Sequence, residues 1–166
     1  AGDAANGYKS VTFHNVGSDF PVFDDIKTHV VDKGLTAGAG DQIGTVLYNR
    51  GMYAAMLAAE AAKTAQEIHG TAQITPAMMR DGMEALEITE EKMTALGMPN
   101  FGPSFAVSCE NHGGPGLGGI TQWNATDKKW NLISDFGSSD MDVNLPLITA
   151  DSEAFAAENN IEQRCN

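Results

Sequence analysis

Apolar residues recur every three or four positions over much of the chain, which is the spacing of helices that bury one face. The longest such stretch covers residues 48–68 and closes at His69-Gly70, where glycine suits a left-handed helix end. Further helices are predicted over residues 21–33, 75–86, 89–97 and 152–159. Thr75-Pro76 is a typical helix start, with Thr as N-cap and Pro at the first helical position.

Other segments alternate with a period of two, which indicates strands. The pattern predicts strands over residues 8–14, 104–109, 118–123 and 128–136, with a turn at residues 124–127. No internal repeat and no low-complexity linker is visible. The predicted fold class is therefore α/β.

Composition and charge narrow the function classes. The chain has 166 residues, of which 42% are hydrophobic, enough for a real core. It contains no apolar run of the roughly 20 residues that a membrane span requires. Its 22 acidic and 10 basic side chains give a net charge of -12, which repels phosphate backbones and anionic lipid surfaces. We therefore expect neither nucleic-acid binding nor direct membrane insertion.

The stretch SCENHGGPGLGGITQW, residues 108–123, concentrates the candidate chemistry. Cys109 and His112 form one possible pair of metal ligands, but no second pair accompanies them. The same two residues lack a third group to orient a nucleophile and its base. A phosphate loop would open a helix, whereas these glycines precede a predicted strand. The favoured interpretation is a turn or bulge, with no catalytic residue, metal or cofactor; an enzyme using Cys109 and His112 remains an alternative.

The two ends of the chain raise separate questions. The opening residues, AGDAANGYKS, look like the middle of a longer sequence, as if a signal peptide had been removed or a longer polypeptide cut. The two cysteines, Cys109 and Cys165, are far apart and form no CxxC motif. They suit a single disulfide in an oxidising compartment and two inert thiols elsewhere.

The order of several segments resembles that of a known family. These segments are AGDAANGYKSVTFHN, PVFDDI, VLYNRGMYAAMLAAEA, ITPAMMRDGMEAL, FAVSCENHGGPGLGGITQW, WNLISDF and the final RCN. Together they resemble the C-terminal portion of the type I periplasmic solute-binding proteins of bacterial ABC importers, in the branched-chain amino acid, amide and urea branch. The resemblance covers essentially the whole chain but only the later part of such a protein.

The resemblance implies the C-terminal portion of a two-lobed α/β protein, with strands and helices from both lobes. Residues 1–14 and 104–166 would belong to the C-terminal lobe, and residues 15–103 to the N-terminal lobe. The implied function is an extracytoplasmic, periplasmic solute-binding protein, not an enzyme. It would capture a small polar metabolite, such as a branched-chain amino acid, short amide or urea, and deliver it to an ABC importer permease. Its other partner would be the missing N-terminal portion of the same protein; a ligand-sensing receptor domain of the same fold is the alternative.

The resemblance also suggests ligand-binding residues. The aromatic ligand contact of the family falls at Tyr48, followed by Asn49 and Arg50. Arg50 departs from the apolar or aromatic residue expected in amino acid binders. Tyr48 is expected at a strand-to-helix junction, where open α/β sheets bind ligands, although a Tyr packing the helix N-terminus is the competing interpretation. Arg50 suits either a carboxylate clamp or an exposed salt bridge.

In the periplasm implied by the resemblance, we expect Cys109 and Cys165 to form a disulfide that pins the C-terminus. The glycines after Cys109 would then form a bend that returns the next strand beside the strand carrying Cys109. Both cysteines should resist alkylation until the protein is reduced.

Overall fold

Helices and strands are mixed along the chain, so the predicted α/β class is confirmed. The computed structural model describes residues 2–38, 40–162 and 165. The helices are α1 (Pro21–Ile26), α2 (Val46–His69), α3 (Pro76–Glu84), α4 (Glu90–Ala95) and α5 (Met141–Glu158). The strands are β1 (Lys9–Thr12), β2 (Glu87–Ile88), β3 (Phe105–Ala106), β4 (Leu117–Asn124), β5 (Lys129–Leu132) and β6 (Gly137–Ser138).

The larger sheet is antiparallel and draws its strands from both ends of the chain. Its order is β1-β4-β5, and β6 pairs with the start of β4. Val11 lies opposite Ile120, and Trp123 lies opposite Trp130. A separate two-stranded sheet joins β2 to β3. The middle of the chain therefore supplies four of the five helices, and the two outer parts supply the larger sheet.

Local sequence explains the helix ends. Thr45, Thr75 and Thr89 are the N-caps of α2, α3 and α4, and each side chain accepts a hydrogen bond from the backbone N–H three residues later. At the other end of α2, Gly70 has φ +62°, the left-handed conformation that closes a helix. The prediction of α2 and of its end at Gly70 is confirmed.

The hydrophobic core lies among the four central helices and the short sheet. Its fully buried members include Ile88, Met93, Met98 and Phe101. α2 and α3 approach closely at Gly82, where an added Cβ would lie 2.2 Å from the carbonyl oxygen of Ala61. The small residues of α2 thus serve close packing against α3.

Several predicted boundaries are wrong. α1 ends at Ile26 and continues as a π-helix, Lys27–Val31. The strand predicted over residues 104–109 contains only Phe105 and Ala106. The predicted terminal helix, 152–159, begins much earlier, at Met141. Pro146 is the sixth residue of α5, where it removes one backbone hydrogen bond of the helix.

The glycine stretch does not return β4 to the strand beside Cys109. β3 pairs with β2, whereas β4 pairs with β1, β5 and β6. The expected bend is therefore a connection between two different sheets. The phosphate-loop alternative stays excluded, because the glycines lead into a strand and not into a helix.

The disulfide between Cys109 and Cys165 is present, with the two Cα atoms 5.4 Å apart. The prediction of this pairing is confirmed. The assignment of residues 1–14, 15–103 and 104–166 to two lobes stays a prediction.

Candidate functional site

Tyr48, Asn49 and Arg50 lie in the first turn and a half of α2, and not at the predicted strand-to-helix junction. The segment before α2 is a short 3₁₀ helix, Gly40–Gln42, followed by a turn. Successive helical residues point about 100° apart, so the three side chains face different surroundings. The structure does not bring them together into one site, and their role as ligand contacts stays a prediction.

Tyr48 faces the core. Its ring is half-buried and lies 6.0 Å from the ring of Phe23 in an edge-to-face arrangement. This geometry corresponds to the competing interpretation, in which Tyr48 packs the helix N-terminus.

Arg50 is exposed and does not form a salt bridge among the described residues. Its guanidinium carbon lies 5.3 Å from the centre of the Phe13 ring, a cation–π contact. The same side chain borders a shallow groove of about 370 Å³ that Tyr53, Phe105 and His112 also line. Burial raises the pKa of Tyr53 to about 12, so its hydroxyl stays protonated at neutral pH.

Asn49 is fully buried and holds the segment that follows β1. Its Nδ2 donates a hydrogen bond to the carbonyl oxygen of Gly17 at 2.9 Å and a longer one to that of Asn15 at 3.4 Å. A buried amide that satisfies loop carbonyls in this way positions the backbone. Asn49 is therefore a positioning residue of the segment after β1.

His14 supports the same segment from the other side. Its ring is fully buried and stacks on Phe101 at 5.7 Å, and its Nδ1 lies 2.8 Å from the carbonyl oxygen of Asn15. Since that partner is an acceptor, Nδ1 carries the proton of the neutral ring. Burial lowers the pKa of His14, the positive charge of Arg50 lowers it further, and the hydrogen bond to Asn15 opposes both. His14 is thus held neutral.

Two chain segments cross side by side at this point. The backbone N–H of Asn15 donates to the carbonyl oxygen of Phe101, and the Asn15 side chain donates to that of Asn100 at 3.3 Å. Asn100 has φ +56°, a backbone conformation that asparagine tolerates better than most residues. These hydrogen bonds therefore connect the segment that follows β1 to the segment around Asn100.

A cleft of about 860 Å³ lies beside this crossing. One wall consists of residues 15–19 and 42–47, and the other is the β4–β5 hairpin with Trp123, Lys129 and Trp130. The first wall is closed by a hydrogen bond from Gly17 N–H to the carbonyl oxygen of Gly44 at 3.2 Å. Gly44 has φ +85°, and an added Cβ would lie 2.8 Å from Ser18, so this wall requires glycine.

The cleft combines aromatic surface with charged and hydroxyl groups. The rings of Trp123 and Trp130 lie 5.6 Å apart at an angle of 60°. Asp19 on one wall and Lys129 on the other are both exposed and carry opposite charges. These groups suit non-covalent binding of a polar partner. Sequence patterns missed the cleft because its walls come from parts of the chain about a hundred residues apart.

Cys109 is unavailable as a nucleophile while the disulfide is intact, because its sulfur is bonded to that of Cys165. The predicted base, His112, is exposed and has its Nε2 3.3 Å from Glu84 Oε1. Two other histidines lie apart from His112: His29 is exposed, and His69 pairs with Asp81 at 3.0 Å. That the chain is not an enzyme stays a prediction.

Comparison with known proteins gives one informative match. No family profile matches the chain, and no curated protein sequence does either. The chain is similar to a solved crystal structure described as an ABC transporter permease from the Pseudomonas fluorescens group, with 32% identity and a TM-score of 0.89. The match covers 100% of this chain and 40% of that protein. The chain therefore spans less than half the length of the protein it matches.

This match contradicts the expected function. The family resemblance implied a solute-binding protein that delivers its ligand to a permease, whereas the similar protein is described as an ABC transporter permease. A permease is the component that carries solute across the membrane, so the expected role is corrected. The coarser relation to an ABC transporter is supported. Among the described residues, no helix combines the length and apolar character needed to cross a bilayer.

Proposed function

We propose that this chain is an extramembrane part of an ABC transporter component. In this proposal it lies in an oxidising, extracytoplasmic compartment, contacts other subunits of the transporter, and catalyses no reaction. The observation that carries the proposal is the similarity to the ABC transporter permease over the whole chain. At 32% identity with a TM-score of 0.89, the likeness extends to sequence as well as to fold.

The disulfide supports the proposed location in an oxidising compartment. Bonds of this kind persist in oxidising surroundings and are rare where thiols are kept reduced. The chain has two cysteines, and both take part in the bond.

The arrangement of the crossing segments supports a two-lobed organisation within this component. The larger sheet and the central helical core are connected through residues near Asn15 and Asn100, which hydrogen-bond to each other. The cleft lies beside this connection and offers charged, hydroxyl and aromatic groups on its two walls. We propose this cleft as the contact region for another part of the transporter.

Site-specific cross-linking in the source organism tests the proposal. A photo-reactive residue in place of Lys129, at the exposed rim of the cleft, is expected to capture an ABC transporter subunit. The matched control replaces Lys63, which is exposed on α2 and lies outside the cleft lining. Capture of the same subunit from both positions, or of no transporter subunit from Lys129, contradicts the proposal.

The compartment has its own test. Thiol trapping in intact cells is expected to find Cys109 and Cys165 blocked until a reductant is added. Free thiols at both positions in cells would place the chain in a reducing compartment and overturn this part of the proposal.

A further inference from the structure

Three potential metal ligands meet where α3 ends and the loop after β3 begins. The ligating atoms of Glu84, Cys109 and His112 all lie within 4.8 Å of one another. The disulfide bonds a second sulfur, that of Cys165, to Cys109 at the edge of this cluster. The cluster thus offers one carboxylate, one imidazole and one sulfur, and the disulfide partner can supply a second sulfur from a third part of the chain.

We propose that the reduced chain binds one zinc ion through Glu84, Cys109, His112 and Cys165. Zinc prefers a tetrahedral set of four ligands of these types. In the sequence, Cys109 and His112 have no second pair of ligands near them. The fold supplies that pair as Glu84 and Cys165, which no sequence spacing connects to the loop.

The loop presents Cys109 and His112 in a defined arrangement. Backbone N–H groups of Ser108 and Asn111 each donate to the other's carbonyl oxygen at 3.2 Å. The Asn111 side chain also donates to the carbonyl oxygen of Gly114 at 3.2 Å. These bonds close a tight turn around Cys109, so the spacing of two residues between Cys109 and His112 places both side chains toward Glu84.

The carboxylate and the imidazole are accessible for exchange. Glu84 Oε1 contacts His112 Nε2 at 3.3 Å and Arg80 Nε at 3.8 Å. Arg80 also contacts Asp81 at 2.9 Å. Arg80 therefore keeps a carboxylate partner when Glu84 binds a metal ion. The His112 side chain is 67% exposed, which leaves a path for an ion from solvent.

The two sulfurs are near enough to share one ion. In a tetrahedral site with zinc–sulfur bonds of about 2.3 Å, the thiolates lie about 3.8 Å apart. The Cα atoms of Cys109 and Cys165 are 5.4 Å apart, so side-chain rotation alone can separate the sulfurs to that distance after reduction.

The site is gated by redox state. A dithiol reductant transfers two electrons and two protons to the disulfide, which becomes two thiols while the dithiol becomes a disulfide. Zinc then displaces the two thiol protons and binds both thiolates. The disulfide therefore excludes zinc, and bound zinc protects the thiols from reoxidation. This inference does not depend on the proposed role in an ABC transporter.

Metal titration of the purified full chain tests the inference. The chain is reduced with a phosphine, desalted without oxygen, and titrated with Co²⁺ and then Zn²⁺. We expect thiolate-to-cobalt charge-transfer bands and tetrahedral visible bands from one Co²⁺ per chain, both lost when Zn²⁺ displaces it. The oxidised chain should show neither band. Equal binding by both redox forms, or no binding by the reduced form, overturns the inference.

Variants separate this site from other carboxylate–histidine pairs. His112→Ala and Glu84→Gln should each weaken zinc binding by at least about tenfold, the lower limit for loss of even an outer-shell partner. The matched control is His69→Ala, which removes a histidine that is also paired with a carboxylate; its zinc affinity should match that of the parent. Unchanged binding in His112→Ala overturns the assignment.

A second readout covers the case in which reduction unfolds the chain. Zinc should then restore the helical circular dichroism of the reduced parent chain, because an ion that binds only the folded state stabilises it. Zinc should restore much less helix in His112→Ala. Equal recovery in both, or recovery in neither, contradicts the proposed ligand set.

Discussion

Helices α2 and α5 are the two longest in the chain and differ most in their surroundings. α2 buries five residues along its 24 positions, including Tyr53, Ala61 and Ala65. α5 has 18 residues and buries none of them. Five of its apolar side chains are at least half exposed: Val143, Leu145, Leu147, Ile148 and Phe155. The same backbone conformation therefore contributes to a buried core in one case and buries no residue in the other.

This difference shows where the stability of each helix originates. Most helical stability in proteins comes from packing of an apolar face, and isolated helices shorter than about 15 residues are marginal in water. α2 obtains this stability from α3 and the aromatic core around Phe101. For α5, the contribution of the disulfide that ties down the chain after it should matter more.

The largest expected effect comes from removing an aromatic ring on the packed side. Phe101 is fully buried and contacts the rings of His14, Phe20 and Tyr53. Phe101→Ala should lower the free energy of unfolding by about 3–5 kcal/mol, since it leaves a cavity. Phe155→Ala in α5, where the ring is 59% exposed, should change it by no more than about 0.5 kcal/mol. Urea denaturation measures the unfolding free energy of both variants. Similar decreases in the two variants would contradict the proposed difference between α2 and α5.

Reduction of the disulfide should cause the second-largest loss of stability, and it should destabilise α5. The bond joins residues separated by 56 positions, for which the chain-entropy model gives about 4 kcal/mol, with measured bonds commonly worth about 2–4 kcal/mol. We expect limited proteolysis of the reduced chain to cut α5 before α2. Cleavage within α2 first, or the same pattern before and after reduction, would contradict this assignment.

A glycine pair tests close packing of α2 on α3 with a smaller effect. An added Cβ at Gly82 would lie 2.7 Å from the Cβ of Ala65, whereas one at Gly51 meets nothing within 4 Å. Gly82→Ala should therefore lower the free energy of unfolding by about 1–3 kcal/mol through overpacking. Gly51→Ala, on the exposed side of α2, should raise it by up to about 1 kcal/mol, because alanine is the better helix former. Thermal or urea denaturation distinguishes the two signs.

The smallest expected effect is the pH dependence caused by His14. Its pKa is lowered in the folded chain, so below the ordinary value of 6.5 the unfolded chain binds more protons than the folded one. The stability contributed by neutral His14 is thus complete above pH 6.5 and is lost as the pH falls toward the folded pKa. His14→Asn should make the decline in unfolding free energy between about pH 7 and 5 shallower. An unchanged slope would show that His14 does not contribute to it.

Much of the secondary structure could be predicted because its signals are local. The ends of α2, α3 and α4 follow from three threonine caps and from Gly70, all adjacent to the helices they delimit. α5 was predicted too short, and Pro146, a local signal against a helix interior, lies inside it. The disulfide was expected from the periplasmic compartment that the family resemblance implies, and two cysteines allow one pairing.

The candidate site could be predicted only in part. The sequence pointed to Tyr48, Asn49 and Arg50 as neighbours, but a helix turns adjacent side chains in different directions. Asn49 consequently holds the carbonyl of Gly17, and Arg50 lies over Phe13. The role of His14 carried no local signal, since its stacking partner, Phe101, is far along the chain.

The sequence by itself determined the α/β class, the long helix α2 and the helix caps, because these depend on periodicity and on neighbouring residues. Two cysteines allowed one disulfide, and the tertiary structure decided that it forms. Only the tertiary structure decided that β4 pairs with β1 instead of β3, and that Asn15 and Asn100 join two crossing segments. It also decided that Glu84 lies beside His112. Such contacts join residues distant in the sequence, and they form only when the burial of the core brings those parts of the chain together.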